Sequence, residues 1–411
     1  MLSRFFLLVI FLLSMGGVLA KSINVCTQCK PNNIEDALNA SQNGDTILVE
    51  PGRYLCESLE VRKSITLIGK SGAILDGNGK GYVLKLLADH IKVTGFKIIN
   101  SGRSHTKDYA AIYVFKSNHF QIINNEISKS FFGLLLEKST YGTVKGNKVF
   151  GQSIREDDSG NGIHLWHCSW MEIVGNEVYG MRDGIYLEFV EESLIRENYT
   201  HTNVRYGLHF MFSNHDSYEA NIFENNGAGV AVMFSKWIRM EKNRFLNNWG
   251  TASYGLLLKE IYDGEVLNNS FEGNTIGIFI DGSTRINYHR NVFKQNGWAI
   301  KVSGGCYANF FKENNFISNS FGISYNAKMN DNSFDGNYWS EYSGYDLDKD
   351  GTGDVPYRPV KLFSYIVNRT PETLVLLRSL FVDIINFSEK VSPVFTPDDL
   401  IDSTPAMHRF K

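Results

Sequence analysis

The chain has no excess of charge of either sign. Its 41 Lys and Arg stand against 44 Asp and Glu, a net charge of -3, so it lacks the basic footprint that grips a nucleic acid. After residue 20 it also has no run of about 20 uncharged apolar residues, which excludes a membrane-spanning helix as the reading of any later stretch. The one long apolar run, Phe5 to Leu13, leads through small residues to Ala20. Residues 1–20 therefore read as a secretory signal cleaved after Ala20, and with no cysteine at that point a lipoprotein is not indicated. The remainder is expected to be exported and soluble.

Cysteine is scarce, with five in 411 residues. Cys26 and Cys29 form CTQC, but Lys30 stands where a haem attachment would need histidine. In an exported chain a disulfide within Cys26, Cys29 and Cys56 is expected, with a metal-handling pair as the alternative. Cys168 and Cys306 read as small buried residues. The central part of the chain also lacks amphipathic helical runs and the LxxLxLxxN string of leucine-rich repeats.

What is present is a phrase that recurs every 22 or 23 residues: GIHL at Gly162, GIYL at Gly184, GLHF at Gly207 and GVAV at Gly229. Between these lies a second beat, an asparagine followed by alternating residues, at Asn176, Asn198, Asn221 and Asn243. Short alternating strands at this period predict a right-handed parallel β-helix, an all-β solenoid. Asparagine serves it in two ways, by tolerating the left-handed backbone of a sharp turn and by stacking into a hydrogen-bonded ladder.

Taken in order, 21–75 forms an N-terminal cap and first coils, with a short helix over Ile34 to Ser41 capped by Asn32 or Asn33. Residues 76–340 carry the repeats, nine or ten coils from Leu75, a rod of roughly 45 to 50 Å. The step from Gly133 to Gly162 is 29 residues, so SIREDDSGN is an insertion in one turn. A shorter excess lies around WGTAS, between Gly229 and Gly255. Residues 341–365 form an Asp-rich loop closing the solenoid. There Asp346, Asp348, Asp350 and Asp354 resemble the opening of a calcium loop, although Tyr357 replaces the usual glutamate at the twelfth place. Structural calcium and a solvated turn are the two readings. Residues 366–411 give a C-terminal helix, a single apolar run over 372–391, and an extended arm.

The strand alternation sends two columns of side chains outward: His164, Tyr186, His209 and Ala231, and beside them Trp166, Glu188, Met211 and Met233. Imidazole and thioether donors suit Cu(I), and the same residues suit apolar recognition of a partner protein. His164 and His209 lie two coils apart and so cannot both bind one ion, whereas Met211 and Met233 can share one with His209. His90, His105, His119, His201 and His289 show no ligand spacing. A rival reading is a secreted polysaccharide lyase or carbohydrate-binding β-helix, for which Arg155, Asp157, Asp158, Arg182 and Asp183 are the candidates.

The phrases GNGIHLWHCSW, RDGIYLEFVE, RYGLHFMFSN, GAGVAVMFS, YGLLLKEI and GYDLDKDGTGDVPYRPVKLFS, with the LLRSLFV helix and the PVFTPDDLIDSTP tail, resemble the NosD family from about Gly44 to the C-terminal arm. These are β-helix accessory proteins of nitrous oxide reductase maturation. The resemblance implies a periplasmic, non-catalytic scaffold seated on an ABC transporter of permease NosY and ATPase NosF. It would meet the copper chaperone NosL and nitrous oxide reductase, touch the membrane only through partners, and deliver copper or sulfur to the copper sulfide cluster. On the residues, copper contact falls to His164, Trp166, Glu188, His209, Met211 and Met233.

Overall fold

The computed structural model describes residues 20–411 apart from 105, 327–330 and 392–399. Residues 1–19 of the expected signal segment, His105 and the start of the arm lie outside the described residues. The chain winds through three parallel sheets of 14, 13 and 12 strands. The first sheet runs from Ser22–Val25 to Ser333–Asp335, the second from Gly52–Leu55 to Tyr338–Trp339, and the third from Leu59–Val61 to Phe321–Tyr325. Eleven strands of the first sheet follow Leu75, more than the nine or ten coils expected from the repeat. Most strands of the first and second sheets have only three residues, too few to show alternation on their own. Fourteen rungs at about 4.8 Å give a rod of roughly 60 Å.

Inward positions of the recurring phrase fill the core. Ile163, Leu165, Ile185, Leu187, Leu208, Phe210, Val230 and Val232 have no exposed surface. Beside them Phe245, Phe271, Phe293, Phe316 and Trp339 stack coil on coil at 4.0 to 5.0 Å. Each fully buried side chain of this size contributes about 1.5 to 3 kcal/mol.

The asparagine beat forms a ladder through the interior turn from Asn125 to Asn337. At each rung one carboxamide oxygen accepts twice: Asn198 Oδ1 takes the Asn176 backbone N–H and its Nδ2, both at 2.9 Å. The left-handed backbone falls elsewhere. Gly175, Glu197, Ala220 and Lys242, each just before a ladder asparagine, carry the positive φ. The two roles expected of one asparagine are thus divided between neighbours, because the turn must be made before the carboxamide can point inward. The ladder ends on a carboxylate. Asp402 accepts from Asn337 N and Nδ2 and from Trp339 Nε1. The C-terminal arm therefore lies on the last coil, with bridges at Phe334 to Asp402 and Tyr338 to Ala406, and satisfies donors that would otherwise be orphaned.

At the other end α1 (Ile34–Ala40) is capped by Asn33, whose side chain accepts from Asp36 N, and buries Ile34, Ala37 and Leu38 over the first coil. Cys26 is bonded to Cys29, while Cys56 is free and buried, its thiol pushed up to about 12 by burial. Cys168 sits in an interior column that also holds Ser117, Ser139, Val190, Ser213 and Ser235, and its Sγ donates to Leu136 O at 3.4 Å.

The expected single helix over 372–391 is not one helix. An earlier helix α2 (Leu362–Arg369) precedes a 3-10 turn, Pro371–Leu376, and then α3 (Leu380–Val391). The break falls at Leu377 and Arg378, with φ of +69° at Arg378. The reversal brings Val382 back onto Phe363 and Val367 of α2 and onto Trp298 and Phe321 of the third sheet. Among the described residues no helix is long and apolar enough to cross a membrane.

Candidate functional site

Register alone assembles the two outward columns. His164 pairs with Tyr186, Tyr186 with His209 and His209 with Ala231; Trp166 pairs with Glu188, Glu188 with Met211 and Met211 with Met233. Their strands keep this register because the flanking apolar residues can reach the core only in one phase. The rings of His164 and His209 each lie 4.7 Å from the Tyr186 ring, one on either side, so the two imidazoles stay too far apart to share an ion. Tyr186 Oη donates to Met211 Sδ at 3.8 Å. Trp166, Glu188, Met211 and Met233 are half-buried.

The first column points away from the core yet is not open surface. His209 is 6% exposed and Ala231 is fully buried. The correction has a plain cause: sequence periodicity gives the direction of a side chain but not what stands over it. Tyr206 packs against His209 at 4.8 Å, and Phe132 against His164 at 5.8 Å. Beside them Asp183, 1% exposed, lies 3.9 Å from His209 Nδ1 and 3.7 Å from the Nε of both Arg182 and Arg205. The insertion reaches this cluster through Glu156, 3.7 Å from Arg205.

Both ring nitrogens of His164 and of His209 are shielded from solvent and have no hydrogen-bond partner. Burial, with the neighbouring arginines, pushes each imidazole down to about 3, so both are neutral with a free lone pair at physiological pH. Burial pushes Asp183 up. A neutral imidazole with a carboxylate near one nitrogen and a thioether two residues along the strand has the donor chemistry of a soft-metal contact. Sequence reading set Asp183 and Arg182 aside for a rival role and passed over Arg205 and Tyr206. Their signal was the two positions just ahead of the repeat glycines Gly184 and Gly207.

The other candidates separate. Arg155 and Asp157 form an exposed ion pair, and Asp158 Oδ2 accepts from Ile154 N and Arg155 N, holding the insertion together. Carboxylate oxygens of Asp346, Asp348 and Asp350 lie within 4.8 Å of one another. Asp354 is not in that group and instead accepts from Leu347 N at 2.7 Å. His90 and His119 stack in a turn, and His201 lies between Tyr179 and Tyr199.

Residues 148–344 match the family described as "Periplasmic copper-binding protein (NosD)". The chain is similar to the "Probable ABC transporter binding protein NosD" of Pseudomonas aeruginosa, 31% identical over 375 residues, covering 87% of this chain and 86% of that protein. It is also similar to the protein of the same name from Stutzerimonas stutzeri, 28% identical over 367 residues, covering 84% and 83%. Among solved structures, the mannuronan C-5 epimerase AlgE6 A-module of Azotobacter vinelandii superimposes with a TM-score of 0.54 at 13% identity, covering 74% of this chain and 87% of that one. The Dettilon tailspike protein does so with 0.57 at 12%, covering 72% and 65%. At those identities the likeness shows the shared solenoid and nothing of the chemistry. The sequence relatives reach further, and by them the chain belongs to the NosD family.

Proposed function

We propose that this protein is a periplasmic, non-catalytic scaffold that takes up Cu(I) transiently and hands it on during maturation of nitrous oxide reductase. In this reading it receives copper from NosL, works with the transporter NosF and NosY, and serves the copper sulfide cluster; sulfur is the other cargo the resemblance allows. The observation that carries the reading is the in-register pair Met211 and Met233, with the unpartnered neutral imidazole of His209 two residues before Met211 on the same strand. The family description as copper-binding and the relatives' name as transporter-binding proteins support it. Trp166 and Glu188 flank the thioethers, and His164 supplies a second, separate imidazole.

The transporter contact falls to the C-terminal helices. Leu380, Phe381, Ile384 and Phe387 expose 54 to 74% of their surface, an apolar stripe that a partner would cover. Asp346, Asp348 and Asp350 are assigned structural Ca²⁺, which a lowered melting temperature in chelator would support.

Replacing both Met211 and Met233 with Ala should abolish Cu(I) retention by the folded protein and reduce reductase activity in the host at least tenfold. Full activity in that variant would remove the stripe from the function. The carbohydrate reading predicts cleavage or binding of a uronic-acid polymer by the purified protein, and either result would favour it over copper.

A further inference from the structure

A column of rings continues the thioether stripe around the bend from the third sheet to the first. His167, Phe189, Phe212 and Phe234 each follow directly a residue of the Trp166, Glu188, Met211, Met233 column, with ring centroids 4.7, 5.2 and 5.2 Å apart. Three residues further on lies a second column. Tyr141 stacks on Trp170 at 5.0 Å, and His215 on Trp237 at 4.5 Å. These rings are not core: Phe189 and Phe212 are 39 and 38% exposed, and Trp170 and Trp237 are 49 and 51% exposed.

Nor does the backbone favour them. Phe189, Phe212, Phe234, Trp170 and Trp237 all have φ between +50° and +55°, a conformation that costs a residue with a Cβ roughly 1 to 2 kcal/mol. In neighbouring coils the position of Phe212 is held by Lys116, Lys138, Glu260, Gly282 and Gly304, all likewise at positive φ. The coil therefore forms without an aromatic there. Bulky rings held exposed on a disfavoured backbone, over only four coils, mark a surface kept for contact.

The geometry also selects the occupant. Phe189 and Phe212 spend both faces on neighbouring rings, and His167, Phe234, Trp170 and Trp237 spend one each, which leaves mainly edges for a visitor and disfavours the face-on stacking a sugar needs. Ring edges accept thioether sulfur and aliphatic side chains. Four coils span only about 15 Å, an area of a few hundred Å², below the roughly 800 Å² per partner of a stable complex. This fits a brief encounter better than a permanent dimer. Lys116 and Lys138 stand at one end of the column and Glu260 at the other.

We propose that the column His167, Phe189, Phe212, Phe234, with Trp170 and Trp237, is the docking surface for the protein that exchanges Cu(I) with Met211 and Met233. That partner presents aliphatic and methionine side chains to the ring edges and carboxylates to Lys116 and Lys138. The inference rests on the copper reading above.

The test uses the full chain with Phe189, Phe212 and Phe234 all changed to Asn, which tolerates the left-handed backbone. Two Cu(I) donors serve as probes, the bicinchoninate complex and Cu(I)-loaded NosL. The triple variant should melt within about 3 °C of the wild type and load from bicinchoninate unchanged. It should take copper from NosL at least tenfold more slowly. Transfer from NosL at the wild-type rate, or a melting temperature lowered by more than about 10 °C, would overturn the proposal, the latter by making the stack a stabilising device. Failure of the wild type to load from bicinchoninate would sink the copper reading instead. In that case binding of copper-free NosL decides the surface: a tenfold weaker association of the triple variant upholds it, and equal association overturns it.

Discussion

The outer face of the third sheet and the outer faces of the first and second are built on the same rungs and share one core, yet their surfaces obey different rules. On the first and second sheets, charges of opposite sign answer one another from coil to coil: Lys97 meets Glu126 and Lys148 meets Glu177, both at 2.9 Å, and Arg239 reaches Glu265. On the third sheet the corresponding column reads Leu135, His164, Tyr186, His209, Ala231, Leu257, and most of it is buried. At its C-terminal end α2 and α3 already cover Trp298 and Phe321. A solenoid needs only its inner face to fold. An outer face that departs from the solvated pattern over several coils is therefore free to be shaped by what it meets.

The largest effect that would break this contrast comes from placing a charge on each face. Ala231→Glu should destabilise by at least 3 kcal/mol, since the position is fully buried. Gln121→Glu, exposed on the first sheet beside Lys92, should stay within about 0.5 kcal/mol. Equal losses in chemical denaturation would erase the difference between the faces.

Acid provides the next test. His164 and His209 titrate at about 3 in the folded chain, below the ordinary value near 6.5. The unfolded state therefore takes up protons that the folded state refuses, and stability is full above pH 6.5 and lost as the pH falls toward 3. At pH 5 each imidazole should account for about 2 kcal/mol of lost stability. Replacing both with Phe should flatten the pH profile between 6.5 and 5; an unchanged slope would mean that the imidazoles are solvated. The smallest effect belongs to the charged faces. Arg239→Ala removes contacts to Glu241 and Glu265 and should cost no more than about 1 kcal/mol, less at high salt.

The solenoid was legible because its repeat puts glycine, apolar and asparagine residues at fixed intervals. The neighbour relations of His164, Tyr186, His209, Met211 and Met233 followed from that interval with no further information. The cover over His209 did not, because Tyr206 and Arg205, just ahead of it on its own coil, and Asp183, one coil earlier, reach it through side-chain packing. The divided C-terminal helix was hidden for a similar reason: its apolar run is continuous in sequence, and only the cluster around Phe321 and Val382 shows where it must fold back. The contribution of the arm through Asp402 was equally silent, since one aspartate in a polar tail has no periodicity.

By itself, the order of residues determined the coil, its period and the direction in which each strand residue points, because these follow from local alternation and from turn residues that recur. Tertiary structure alone decided which outward residues are covered, which imidazoles are left without a partner and where the last asparagine finds its acceptor. Those outcomes depend on atoms brought together across coils and from the two ends of the chain, whose meeting no local pattern encodes.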